Sequence, residues 1–230
     1  MDFLPMKGIE YLVVIGYLLL LVPFWYLLTG RQESGRVIAQ PRHIRASWFS
    51  VPDWLYFHPG HAWAERVDDH RVRVGMDEFA HRLVGPLDAL HLPRPGDQIE
   101  VGDDGWWIEA DGHVLPVLSP VTGKVTAVNE KVVLAADRFG ETPYVDGWLL
   151  EVEVPSLKAA LRNLLHGRLA TLWTEDASKQ LSRRMSPELG TVLADGGMPV
   201  NGFARALDAD RWWELAAEML LVEEEKGSSD

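Results

Sequence analysis

Three histidines have the type and spacing that could bind a metal or act as a general base. His58 and His61 lie three residues apart around a Pro-Gly pair, and His113 follows an Asp-Gly pair. Imidazole titrates near neutral pH and is a frequent metal ligand. The chain has no cysteine, no His-Glu-x-x-His pattern and no Gly-x-Ser-x-Gly pattern, so the sequence offers no partners for such a site. We therefore predict no metal site, no catalytic residue and no enzymatic activity, with His61 packed structurally near Trp63.

A tight β-hairpin is predicted around Asp111-Gly112. This dipeptide is typical of a type I′ turn, because glycine tolerates a positive φ. Trp106-Trp107-Ile108 forms the strand before the turn. Val114 to Leu118 forms the return strand, where Pro116 indicates an edge or a bulge.

The spacing of residues around this hairpin resembles the lipoate-attachment hairpin of glycine cleavage system H proteins. In that family a glutamate precedes the lipoate-bearing lysine by three residues, and Ser-Pro-Val, a small polar residue and Gly follow the lysine. Here Glu109 and Ser119-Pro120-Val121-Thr122-Gly123 keep the spacing, but Gly112 stands at the lysine position. An amide-linked arm needs a side-chain amine. The resemblance therefore implies a degenerate carrier with no bound cofactor.

Two lysines could be considered as substitute attachment points. Lys124 falls within the strand after the hairpin, and Lys131 falls in a later loop. Neither is at a hairpin tip, so we expect both to be ordinary surface lysines.

The resemblance covers roughly Tyr56 to Leu165 and implies a fold. Its other matching pieces are Tyr56 to Trp63, Val72 to Met76, Glu78 to Ala80, Leu92 to Asp97 and Pro143 to Leu149. It implies a mainly β, flattened barrel or barrel-sandwich domain of the lipoyl type with C-terminal α-helices.

Periodicity in the residues agrees with that fold. Alternating polar and apolar residues predict strands at 71–74, 98–101, 124–128 and 148–154. After Pro155 the leucines at 157, 161, 164 and 165 repeat at helical spacing, with Ser156 as N-cap. A second helix is expected over 169–181, a loop over 187–201, and a last helix capped by Asp208.

A membrane helix is predicted before this domain. Residues 11–30 contain no charged side chain, and about 20 apolar residues in a helix cross the hydrocarbon core. Basic residues are enriched next to the cytoplasmic ends of membrane helices. Four arginines follow this run: Arg31, Arg36, Arg42 and Arg45. The expected location is therefore the cell membrane, single-pass, with the soluble domain cytoplasmic. The chain then divides into a tail (1–8), a membrane helix (9–30), a basic linker (31–52), the H-protein-like domain (53–182) and a C-terminal extension (183–230).

Charge and tryptophan usage indicate the class of partner. The net charge of −12 argues against nucleic acid, whose phosphates need basic residues. There are two tryptophan pairs, Trp106-Trp107 and Trp212-Trp213. In each pair either one ring fills the core and the other is exposed, or both rings are covered within the chain. Exposed tryptophans anchor protein partners. The candidate contacts are Trp106, Trp107, His113, Trp212 and Trp213.

Two functions follow. The first is a non-catalytic, membrane-anchored subunit that contacts lipid and docks onto other membrane proteins, for example in a redox or energy-conserving complex. The alternative is a periplasmic adaptor of the membrane-fusion type in an export system. Such adaptors split their lipoyl-like domain with a coiled coil, and no heptad run interrupts this one.

Overall fold

The structure, a computed structural model, describes residues 11, 15–19, 43–46, 48–184, 193–194 and 198–222. The chain divides into two compact units, Met1–Pro41 and Arg42–Asp230. In the first unit residues 15–19 are helical. Among the described residues, none belongs to a helix both long and apolar enough to cross a bilayer. Most of the predicted segment 9–30 lies outside the described residues, and so does the tail after residue 222.

The second unit is built from short strands and helices. The described strands are β1 (His43–Ala46), β2 (Phe49–Pro52), β3 (Tyr56–Phe57), β4 (Ala62–Arg66), β5 (Arg71–Met76), β6 (Ala89–His91), β7 (Gln98–Ile99), β8 (Asp104–Ala110), β9 (His113–Leu118), β10 (Gly123–Val128), β11 (Trp148–Glu153), β12 (Leu165–His166), β13 (Leu193–Ala194) and β14 (Met198–Pro199). The described α-helices of this unit are α1 (Glu78–Val84), α2 (Glu130–Val133), α3 (Leu157–Leu161), α4 (Arg168–Arg184), α5 (Phe203–Leu207) and α6 (Trp212–Met219). A 3-10 helix spans Ala136–Glu141.

Two antiparallel sheets enclose the core of this unit. The larger has the strand order β12-β3-β4-β5-β11-β10-β7, and the smaller has the order β6-β8-β9. Val74 and Val152 from the larger sheet share one buried cluster with Trp106 and Ile108 from the smaller sheet. Each of these side chains alternates with a more exposed neighbour, as a strand with one buried face requires. The predicted mainly β fold with C-terminal helices is confirmed.

The second half of the predicted basic linker is structured. Strands β1 and β2 form an antiparallel hairpin with His43 opposite Pro52. Phe49 and Val51 are buried, and Phe49 packs edge-on against Phe79 at a centroid distance of 5.2 Å. The folded unit therefore begins near residue 42, about ten residues before the predicted boundary at 53.

Some of the predicted helix and strand boundaries agree with the structure and others do not. Ser156 caps α3, but α3 ends at Leu161, and Leu165 instead pairs with Phe57 in an edge strand. The predicted second helix is confirmed as α4. Asp208 follows α5, and its carboxylate accepts the backbone N–H of Arg211 at 3.0 Å just before α6 begins. Of the predicted strand 98–101 only Gln98–Ile99 forms, because the chain turns at residues 101–102.

Candidate functional site at the β8–β9 hairpin

The hairpin tip has the predicted turn geometry. Asp111 and Gly112 both have positive φ, 50° and 76°, as a type I′ turn requires. Ala110 pairs with His113 across the turn. A Cβ added to Gly112 would meet no described heavy atom within 4 Å, so the tip residue itself faces open space. Strand β9 is an edge strand, which accommodates Pro116 as predicted.

The turn is held by polar contacts on the Asp111 side. The backbone N–H of Asp111 donates to Oδ2 of Asp88 at 2.7 Å. The Asp111 carboxylate forms an ion pair with Arg205, which belongs to α5 in the C-terminal extension. The same guanidinium donates to the backbone carbonyl of Val84, at the end of α1. Arg205 therefore links the hairpin tip, α1 and the extension.

Aromatic rings hold the other side of the turn. The ring of His113 stacks on Trp213 with a centroid distance of 4.0 Å and an interplanar angle of 9°. It also meets Trp212 edge-on at 5.7 Å. The Arg205 guanidinium lies 4.3 Å from the centroid of Trp212, in cation–π contact. Both residues that flank Gly112 thus contact the C-terminal extension.

Each tryptophan pair has one buried ring and one more exposed ring. Trp106 and Trp212 are buried, whereas Trp107 is 38% exposed and Trp213 is partly exposed. Trp106 and Trp212 fill the interior and therefore do not lie on the contact surface. The indole N–H of Trp106 has no hydrogen-bond acceptor within the described part of the chain. Trp107, His113 and Trp213 stay candidate contacts.

The motif from Ser119 to Gly123, after the hairpin, stabilises the local fold. Ser119 is buried, and its hydroxyl donates to the carbonyl of Val121 at 2.7 Å. The Thr122 hydroxyl accepts the N–H of Val101 at 3.0 Å. A Cβ on Gly123 would collide with the carbonyl oxygen of Glu153 in the neighbouring strand, which explains the glycine.

Glu109 and the two lysines considered as substitute attachment points are at least partly exposed. Glu109 forms a 3.1 Å contact with His91 on the adjacent strand. Lys124 is exposed in β10, between β7 and β11. Lys131 is exposed in the short helix α2 rather than in a loop. Neither lysine is at a hairpin tip.

His61 has a structural role, although with partners other than Trp63. Its Nδ1 lies 2.7 Å from Oδ2 of Asp77, and both side chains are buried. The ring stacks on Phe79 at 4.0 Å and tilts against Trp173 at 4.7 Å. His61 has a φ of 62°, which is uncommon for a residue with a side chain. The pair with Asp77 holds this backbone conformation.

The other predicted histidines do not assemble with His61 into a metal site. Burial, with a smaller contribution from His61, lowers the pKa of His58. The ring of His113 packs against Trp212 and Trp213, and no other histidine contacts it among the described residues. Within the described residues there is no group of three or more histidine, aspartate or glutamate side chains that could hold a metal ion.

A second polar site, not predicted from the sequence, lies beside α1. A cavity of about 530 Å³ is lined there by Ser50, Glu78, His81, Arg82, Glu141 and Tyr144. The Tyr144 hydroxyl accepts the N–H of Glu78 at 3.0 Å and donates to the carbonyl of Ser50 at 2.9 Å. Burial raises the pKa of Tyr144 and lowers the pKa of His81 to about 4. Both groups are therefore neutral at physiological pH.

The hairpin, its flanking motif and the two-sheet core agree with comparisons to known proteins. The family model described as glycine cleavage H-protein matches residues 55–176. The chain belongs to the glycine cleavage H-protein family. A glycine cleavage system H protein of Bifidobacterium longum is 38% identical over 104 residues, which cover 45% of this chain and 75% of that protein. The H protein of Mycobacterium avium is 34% identical over 118 residues, 50% of this chain and 89% of that protein.

A solved structure of the H-protein family is also similar. The crystal structure of the Mycobacterium marinum glycine cleavage system H protein is 23% identical, with a TM-score of 0.49, and covers 56% of this chain and 99% of that one. The H-protein match runs from β3 into α4. Strands β1 and β2 and the extension with α5 and α6 lie outside it. The family match lends no support to the adaptor alternative.

Proposed function

We propose that this chain is a membrane-anchored, non-catalytic member of the H-protein family that docks onto other membrane proteins and carries no lipoate. The observation that carries the proposal is Gly112 at the hairpin tip, three residues after Glu109 and seven before Ser119. Attachment of lipoate forms an amide with a lysine amine, and glycine has no side chain to supply one. The tip turn is retained while its reactive group is missing.

The membrane anchor is supported by the first unit. Tyr11, Ile15, Tyr17, Leu18 and Leu19 are each more than half exposed. Apolar side chains grouped at such exposure favour lipid or another protein over water. The uncharged run over 11–30 has the length of a membrane helix, and arginines follow it. The proposal therefore includes lipid contact at this segment.

A docking surface is proposed on the outer side of the smaller sheet. Trp107 is 38% exposed and Val114 is 56% exposed, and both side chains point away from the core on neighbouring strands. Pro116 lies directly opposite Trp107. Exposed tryptophan within an apolar patch is a frequent anchor for a protein partner. The partner in this proposal is another subunit of a membrane complex.

Purification of the full-length chain from detergent-solubilised host membranes tests this function. We expect an intact mass without any added lipoyl or biotinyl group, and discrete membrane proteins that copurify in fixed ratio. Trp107→Ala should weaken that copurification by about tenfold or more, since anchor tryptophans often contribute about 2 kcal/mol.

A matched variant keeps this test specific. Val67 is equally exposed, at 38%, but lies in the turn between β4 and β5. Val67→Ala should leave copurification unchanged. A lipoyl mass on any lysine of the wild-type chain would contradict the non-carrier function. If Trp107→Ala left copurification unchanged, the proposal that this surface binds the partner would be wrong.

The orientation in the membrane can be measured separately. Because the arginine cluster follows the apolar run, we expect the second unit to face the cytoplasm. Protease added to right-side-out vesicles should then leave residues after 42 intact, and should digest them only after the vesicles are opened. Digestion of this unit from outside intact vesicles would reverse the topology.

A further inference from the structure

We infer that the C-terminal extension is an intramolecular cover, which holds both neighbours of Gly112 and restricts the access of other proteins to the hairpin tip. The inference goes beyond the proposed function because it concerns access to the tip rather than the missing amine. The cover, defined as residues 198–222, comprises β14, α5 and α6. It lies outside the part of the chain that matches the H-protein family.

The cover is firmly attached to the body of the same unit. Phe203 is buried and packs edge-on against Phe79 of α1 at 5.6 Å. The N–H of Gly202 donates to the carbonyl of Arg82 at 2.8 Å. A Cβ on Gly85 would lie 2.8 Å from the Cα of Gly202, so the two backbones meet where both residues are glycine. Such packing is that of a core element rather than of a loose tail.

The cover holds both neighbours of the tip residue. Arg205 forms the ion pair with Asp111, from a position 94 residues away in the chain. Trp213 stacks flat on His113, and Trp212 meets the same ring edge-on. Gly112 faces open space and the Asp111 side chain is 59% exposed beside its ion pair, whereas His113 is partly buried under the two tryptophans.

The contacts of the extension with Asp111 and His113 restrict how a modifying enzyme could bind the hairpin tip. An enzyme that joins lipoate to a lysine must enclose the tip, which requires access to the residues on either side. Here those residues contact Arg205, Trp212 and Trp213. A lysine at position 112 would therefore protrude, but its two neighbours would stay tied to the extension until these contacts open. If the open form is a small fraction of molecules, the apparent affinity for the enzyme is the intrinsic affinity multiplied by that fraction.

Two lysine variants of the full-length chain test the cover. Gly112→Lys should be modified slowly by a lipoate ligase supplied with lipoic acid and ATP, as measured by intact mass over time. Adding Arg205→Ala and Trp213→Ala to that variant should raise the rate by about tenfold or more. Equal rates in the two backgrounds would overturn the cover.

Hydrogen exchange supplies a readout that needs no ligase and only a single substitution. In Arg205→Ala the backbone amides of residues 110–113 should exchange about tenfold faster than in the wild type. Arg211→Ala is the matched control, because Arg211 belongs to the same extension but, within the described residues, its side chain pairs with its neighbours Asp208 and Glu214 and not with the hairpin. Unchanged exchange in Arg205→Ala would count against the cover even if the triple variant failed to fold. Lipoylation of the wild-type chain would contradict the proposed function and not the cover.

Discussion

Replacing Asp77 with alanine is expected to lower the free energy of unfolding by about 3 kcal/mol. Its Oδ1 accepts the N–H of Ala80 at 2.8 Å and caps α1, and loss of such a cap costs about 1 kcal/mol. Its Oδ2 pairs with His61 Nδ1 at 2.7 Å, and a buried polar group left without its partner costs about 2 kcal/mol. Denaturant unfolding of the detergent-solubilised chain, followed by tryptophan fluorescence, measures the change.

Two further variants separate the cap from the histidine pair. Asp77→Asn keeps a carbonyl oxygen for the cap and an amide that can face His61, so the loss should be about 1 kcal/mol. Ser156→Ala removes the cap of α3, which is solvent-exposed and has a donor–acceptor distance of 3.4 Å, and should cost only about 0.5 kcal/mol. If Asp77→Ala cost no more than Ser156→Ala, the buried pair with His61 would contribute nothing to stability.

The hairpin could be predicted because its signals are local. Asp111-Gly112 specifies a positive φ at two successive residues, and few other dipeptides do. Pro116 specifies an edge because it cannot donate a ladder hydrogen bond. The division of each tryptophan pair into a buried and an exposed ring follows from adjacent residues in a strand or helix facing different sides.

The contacts around the hairpin could not be predicted in the same way. Arg205 and Asp111 meet only because α5 packs on the end of α1, and no periodicity near either residue indicates that encounter. His113 likewise stacks on a residue of the last helix. These contacts arise from tertiary packing between distant segments, so a sequence pattern specifies the elements without specifying which side chains meet.

Some elements that were predicted wrongly do have a recognisable pattern in the sequence. Phe49 and Val51 alternate with Ser50, which is typical of a half-buried strand. The arginines and prolines around them favoured a linker instead. For Leu165 the helical spacing was real, but pairing with Phe57 stabilises an extended conformation at that residue. Tertiary pairing outweighs local propensity in such short segments.

The largest pH effect is expected from His81, whose burial lowers its pKa to about 4 from an ordinary value of 6.5. The Asp77 carboxylate and the backbone of Met76 act in the opposite direction but do not compensate for the desolvation. Between pH 6.5 and 4 the unfolded chain binds a proton at this histidine, whereas the folded chain does not. Stability contributed by the neutral, buried ring is therefore complete above pH 6.5 and falls as the solution is acidified.

The size of this effect follows from the two pKa values. At about 1.4 kcal/mol for each pKa unit, the wild type should lose about 3 kcal/mol through His81 between pH 7 and pH 4. Other groups also take up protons on acidification, so the measured quantity is the difference between the wild type and His81→Gln in denaturant unfolding at both pH values. His81→Gln should lose less stability on acidification, while His70→Gln, which replaces an exposed histidine, should follow the wild type. Parallel curves for the wild type and His81→Gln would show that the folded unit admits a proton at His81, and that the cavity beside α1 opens readily to water.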